Sequence, residues 1–347
     1  MLWRRITIAG TAAMLVLSAA CGGGSASTTG GTPLLQALSR VAATTDDRAQ
    51  IYYDDTAALV KLAGRNVTGS DGFGVLRGFG SGELQELAGT ADDQPGIMLF
   101  NADYSISAGL PPHQLGLVAG GQQPDTITRN LTKIGWQQHG STLVGPSPSQ
   151  VGTDANLDTT TLALSLARVH ATGSDLAYGG PSANLDQIGS PSGATLVQDP
   201  VIDAVASCLG DVVAAEIVAP YRGGRNPAAV AVGLRQPQSN TAVPHAVVCV
   251  SWGNATDAGR YATAAQQALA TGTSPRTLTR YSTMLQQPSV RNLGGSANVV
   301  SWEANVPGDA QRVFVMTDSV DLPALPDCQQ LDRLSPAARQ AARVPCS

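Results

Sequence analysis

The chain has 347 residues, 43% of them hydrophobic and 14% charged, with a formal net charge of −5. That balance suits a folded globular protein and excludes a disordered one. Its acidity and its lack of any Lys/Arg run exclude nucleic acid as a partner, because such binding rests on phosphate neutralisation. Aromatic residues make up only 4%, so the core must be built mainly from Ala, Val, Leu and Ile.

The N-terminus comes first in chain order. Trp3, Arg4 and Arg5 form a short basic region, and residues 6–20 are apolar and uncharged. The apolar run is too short for a transmembrane helix, which needs about 20 residues. Ser18-Ala19-Ala20-Cys21 then places small residues before a Cys. Together these features have the form of a secretory signal. The last four residues resemble the lipobox of bacterial lipoproteins, with Ser18 where Leu is more usual. The resemblance implies cleavage after residue 20, lipidation of Cys21 and anchorage on the extracytoplasmic side of the cell membrane. Residues 22–33 are rich in Gly, Ser and Thr and read as a flexible tether. With an acidic chain behind it, the tether rather than a basic surface must hold the protein to the lipid bilayer.

Beyond residue 33 the text suggests a duplication. Leu38–Thr44 (LSRVAAT) matches Leu166–Thr172 (LARVHAT), and Tyr53, Ala58 and Gly64 match Tyr178, Ala183 and Gly189. In the first half, residues 50–54 read as a strand, 55–63 as a helix and 83–88 as another helix. Residues 115–119 read as a strand, 124–134 as a helix closed by Gly135, and 141–144 as a strand. In the second half, residues 201–218 read as one helical run, and 228–234 and 246–252 as strands. Residues 257–270 read as an amphipathic helix, and 299–305 with 311–317 as a hairpin around Pro307-Gly308-Asp309. This alternation predicts an α+β fold of two tandem ferredoxin-like (split βαβ) α/β sandwich units. The expected units are residues 34–145 and 160–325, with a polar linker at 146–159 and a C-terminal segment at 326–347.

Five Cys are present. With Cys21 set aside, four remain in an exported chain, which suggests two disulfides. The expected pairs are Cys208–Cys249 and Cys328–Cys346. No Cys-x-x-Cys spacing and no neighbouring His accompany them, which argues against zinc.

The search for catalytic chemistry is mostly negative. Gly78-Phe79-Gly80-Ser81-Gly82 has the wrong spacing for a nucleophile elbow and for a dinucleotide fingerprint. Residues 72–82 therefore read as a mobile loop. His113, His139, His170 and His245 are scattered. In the acidic cluster Asp46, Asp47, Asp54 and Asp55, Asp55 reads as a helix N-cap and the others as solvated. Trp252 and Trp302 end adjacent strands and are candidates to line a groove for a sugar or lipid. Residues 105–112 (SISAGLPP) with the following strand resemble actinobacterial envelope lipoproteins of no assigned activity. No cofactor, metal site or catalytic set is expected. The leading expectation is a non-enzymatic binding or scaffolding lipoprotein that contacts an envelope protein or a lipid or glycan ligand. An envelope hydrolase using Asp54, Asp55 and His113, and a carrier of an apolar ligand, are the alternatives.

Overall fold

The computed structural model of the chain describes residues 31–65, 72–87, 95–146, 163–223 and 226–326. Among them the dominant feature is one 12-stranded sheet, antiparallel at every pairing.

Helix α1 (Pro33–Leu38) is capped by Thr32 and has Pro at its first position, where the missing N–H costs nothing. It leads into β1 (Gln50–Asp54) and α2 (Thr56–Ala63), the latter capped by Asp55. Two 3₁₀ segments follow, Gly72–Leu76 and Phe79–Leu87. Next come β2 (Tyr104–Ala108), β3 (Leu115–Ala119) and α3 (Pro124–Lys133). A meander then runs through β4 (Gln137–His139), β5 (Thr142–Val144), β6 (Arg168–Thr172) and β7 (Asp175–Gly179). Helix α4 (Pro200–Leu209) leads to a second meander of β8 (Val212–Val218), β9 (Ala229–Arg235) and β10 (His245–Ser251). The chain continues through α5 (Ala255–Thr271), α6 (Tyr281–Met284), β11 (Gln286–Gly294), β12 (Val299–Asn305) and α7 (Arg312–Asp318). A small pairing of β13 (Asp321–Leu322) with β14 (Leu325–Pro326) closes the described chain.

The strand order is β11-β12-β10-β9-β8-β1-β2-β3-β7-β6-β5-β4. This overturns the two ferredoxin-like sandwiches. Strands of the two expected units alternate in pairing: β1 pairs with β8, and β3 with β7. Neither expected unit has its own sheet. The order of elements does recur, in a different phase from the sequence match. Apart from α2 and the 3₁₀ segments inserted between β1 and β2, a short helix, a three-stranded meander and a second helix occur as α1–β1–β2–β3–α3 and again as α4–β8–β9–β10–α5. The two meanders meet edge to edge at the β1/β8 seam, in the middle of the sheet.

Sheet residues alternate between two faces. One face carries Ile51, Tyr53, Ile106, Leu117, Ile217, Ala231 and Cys249, packed with α1 and α4. The opposite face carries two separate apolar clusters. The first joins Val232, Val248 and Trp302 to α5 and α7, and the second joins Val118, Leu176 and Val169 to Ile127 and Leu131 of α3. Residues 72–87 lie between β1 and β2 in sequence and pack on this divided face.

Three sequence readings change at the level of elements. The run 201–218 is a helix only to Leu209. Gly210 then takes φ 66°, and the chain emerges as β8. Residues 312–318 form a helix rather than the second arm of a hairpin, because β12 already pairs with β10 on one side and β11 on the other. The 72–82 stretch is ordered as 3₁₀ turns rather than an open loop.

Candidate functional site

The gap between the two apolar clusters can be followed along one cross-strand row. In register, Trp302, Val248, Val232, Glu216, Tyr52, Ser107, Gly116, Tyr178 and Val169 lie side by side. Residues paired in this way share a face. The row is apolar at its ends and polar in the middle, at Glu216, Tyr52 and Ser107. The polar stretch straddles the β1/β8 seam.

Over these residues lies a cleft of about 310 Å³ lined by Gln50, Tyr52, Phe79, Glu83, Gln114 and Asp318 among others. A smaller hollow of about 170 Å³ shares Glu83, Pro111 and Gln114 with it and reaches Ser165 and Tyr178. Phe79 stands edge-on to Tyr52, with ring centroids 5.2 Å apart, and packs on Phe314 at 4.6 Å. Together these rings give the cleft an aromatic wall.

At one end, the Gln50 side-chain amide ties three groups together. It donates closely to the Tyr52 hydroxyl, to Glu216 Oε1 at 3.2 Å and to Asp318 Oδ1 at 3.4 Å. The Tyr52 hydroxyl lies 3.4 Å from the same Asp318 oxygen. Burial pushes the Glu216 carboxyl well above its ordinary range, and the neighbouring Asp318 adds to the rise. Burial raises Tyr52 likewise. Two polar atoms here have no hydrogen-bond partner although they are buried: Ser107 Oγ and Glu216 Oε2. A buried hydroxyl or carboxylate oxygen left in that condition costs free energy. Gly82 lines the cleft, and Ser107 Oγ lies behind it, 3.1 Å from where a Gly82 Cβ would stand.

The roof is held by a buried carboxylate. Asp54 is fully buried. Its Oδ1 accepts from the Gly80 N–H at 2.8 Å, and its Oδ2 accepts from the Gly78 N–H at 3.2 Å and the Thr56 hydroxyl at 2.9 Å. Burial pushes this carboxyl up to about 7, although all three donors oppose the rise. The sequence reading of Asp54 as solvated is therefore corrected. A water-exposed carboxylate cannot gather two backbone amides from residues far along the chain, and this one anchors the 78–82 segment to β1. Gly80 makes that possible, since a Cβ there would lie 2.1 Å from the Ser105 carbonyl oxygen. Gly116 serves the Tyr178 ring in the same way, because a Cβ would meet the ring at 2.0 Å. Tyr178 then donates to the Ser81 carbonyl at 2.6 Å and pins the other side of the roof.

The remaining candidates fall as follows. Asp55 caps α2 by accepting from the Ala58 N–H at 2.9 Å. Asp47 is buried and accepts from the Thr44 hydroxyl at 2.6 Å. His113 is exposed in the turn after Pro112, and His245 lies 3.3 Å from Glu303 on the strand edge. Trp252 and Trp302 do not face a ligand. Trp302 is fully buried and donates to the Tyr261 hydroxyl at 3.1 Å, and Trp252 packs on the Tyr261 ring at 5.3 Å. The first apolar cluster needed their bulk, so they were absorbed into the core. Cys208 and Cys249 form a disulfide, joining α4 to β10. Cys21, Cys328, Cys346 and most of the expected linker at 146–159 lie outside the described residues. Among the described residues, no group of three or more His, Cys, Asp or Glu could hold a metal ion, and no helix is long and apolar enough to cross a membrane.

The fold and site thus define an antiparallel α+β protein with a polar cleft at the centre of a continuous sheet. No protein family, no curated protein and no solved structure matches this chain.

Proposed function

We propose that this protein is a membrane-tethered, extracytoplasmic lipoprotein of the bacterial cell envelope, anchored through acyl chains on Cys21, that binds a small polar ligand in the seam cleft without catalysing a reaction. One observation carries the binding reading. Along a sheet face otherwise closed as apolar core, the fold keeps an open cleft lined by the polar side chains of Gln50, Tyr52, Glu83, Gln114 and Asp318. Polar side chains kept on a face that elsewhere closes as core are accounted for by what they contact when the cleft is filled. The Cys208–Cys249 disulfide supports an oxidising location. The Gly/Ser/Thr-rich tether after Cys21 supports anchorage with freedom to move.

The cleft lining sets Glu83, Asp318 and three Gln beside Phe79, Leu110 and Pro111, and its carboxylates do not suit an acyl chain. A hydrolase built on Asp54, Asp55 and His113 finds no support in the site either, since Asp54 and Asp55 use their oxygens to hold backbone amides.

The test is native mass spectrometry of the protein released gently from membranes. Wild type is expected to carry a reproducible extra mass that leaves on denaturation and is lost in Phe79→Ala. Cys21→Ala is expected to leave the membrane fraction while keeping that mass. An extra mass retained in Phe79→Ala would remove the cleft assignment. A Cys21→Ala protein still bound to membrane would remove the lipid anchor.

A further inference from the structure

The charges around the cleft go further than its shape. Among the described residues, the charged side chains lining the cleft and its adjoining hollow are Glu83 and Asp318, both acidic, and no Lys, Arg or His lines either one. Glu216 adds a third carboxyl just behind the wall, bridged to Asp318 by the Gln50 amide. Asp318 offers a second oxygen, and Glu83 is fixed in place by the Ser165 hydroxyl at 2.9 Å. Phe79 and Tyr52 line the same cleft as an aromatic wall. Carboxylates that line one cleft with aromatic rings and no counter-charge make a site for a cation of organic character, since the ammonium gains both ionic and cation–π attraction. An anionic ligand would meet like charge. A bare metal ion would need a tighter ligand set than the described residues gather.

We infer that the cleft takes a ligand bearing an ammonium group on a compact apolar or aromatic body, with the cation drawn by the Asp318 and Glu83 carboxylates that line it. This rests on the reading of the cleft as the ligand site. Gln114, which lines both the cleft and the hollow, then receives the ligand's polar edge.

Calorimetry on the full-length protein in detergent, with benzylamine, benzyl alcohol, benzoate and calcium chloride as probes, tests both layers. Benzylamine is expected to bind about tenfold more tightly than benzyl alcohol, with no heat from benzoate. Asp318→Asn and Glu83→Gln, both at exposed positions, are each expected to weaken benzylamine several-fold and leave benzyl alcohol unchanged. Phe79→Ala is expected to weaken both, and circular dichroism melting of each variant checks that it folds. Equal binding of amine and alcohol, both lost in Phe79→Ala, would keep the cleft and overturn the ammonium. Benzylamine binding untouched by both acid variants, or calcium bound in preference, would overturn it too. No binding by any probe would remove the cleft reading along with it.

Discussion

At the residue scale, the molecule turns on a few polar groups placed where apolar ones would pack better. Asp54 is the clearest. In an unfolded chain it ionises near the usual carboxylate value of about 4, and in the fold it keeps its proton up to about 7. Between those values the folded state holds more protons than the unfolded one. Its contribution to stability is therefore full below pH 4 or so and is lost progressively as pH rises to about 7. Asp54→Asn removes that dependence. The difference in urea unfolding free energy between wild type and variant is expected to change by up to about 4 kcal/mol across this window. A constant difference from pH 4 to 8 would show that Asp54 is ionised throughout. Gly80→Ala tests the close approach beside it. A methyl group 2.1 Å from a strand carbonyl must push the roof away, and a loss of about 3 kcal/mol in a urea melt is expected. Little in the sequence pointed to either residue. Asp54-Asp55 reads as a pair of surface acids before a helix, and only the second behaves as such. The signal available was the strand itself: Asp54 ends a strand that is apolar and aromatic from Ile51 to Tyr53, at a position where a buried charge needs donors.

At the element scale, local pattern served well where local forces decide. The strand at 50–54, the helix beginning after Asp55, the strand at 115–119 and the helix opened by Pro124 all lie where periodicity and capping put them. It failed where neighbours decide. Residues 312–318 have strand-like text, but both edges of β12 were already taken, so the segment folded back as a helix over the sheet. The apolar run after Pro200 kept a helical spacing past Gly210, and the β-branched residues beyond it were drawn into the sheet. The Cys208–Cys249 bridge fixes that junction by tying the end of α4 to β10 across 41 residues of sequence. Replacing both Cys with Ala is expected to cost about 4 kcal/mol by loop-closure entropy. The same loss should follow reduction of wild type, as a lower midpoint in the urea melt. An unchanged midpoint would mean that the packing of α4 alone holds the junction.

At the scale of the whole molecule, the sheet cannot be divided at the linker the sequence suggested. Residues 34–145 contain β1, β2 and β3, whose outer partners β8 and β7 belong to the other stretch. Expressed alone, residues 34–145 and 160–325 are each expected to aggregate or show no cooperative melt, because each would expose unpaired central strand edges. A sharp thermal transition from either piece would contradict the single sheet. The cleft has the same origin. Tyr52 and Glu216 lie 164 positions apart in the chain and become cross-strand partners only when the two meanders join.

The sequence by itself determined the Asp55 cap, half of the twelve sheet strands (β1, β3, β5, β9, β10 and β12) and the pairing of Cys208 with Cys249, because each depends on spacing along the chain or on a scarce residue type. The tertiary structure alone decided that the halves share one sheet, that Trp252 and Trp302 serve the core, and that Asp54, Ser107 and Glu216 are buried. Those outcomes depend on which strand edges and apolar faces meet across long separations. The pattern of alternation along a strand states that one face is apolar, and it does not name the strand that will lie beside it.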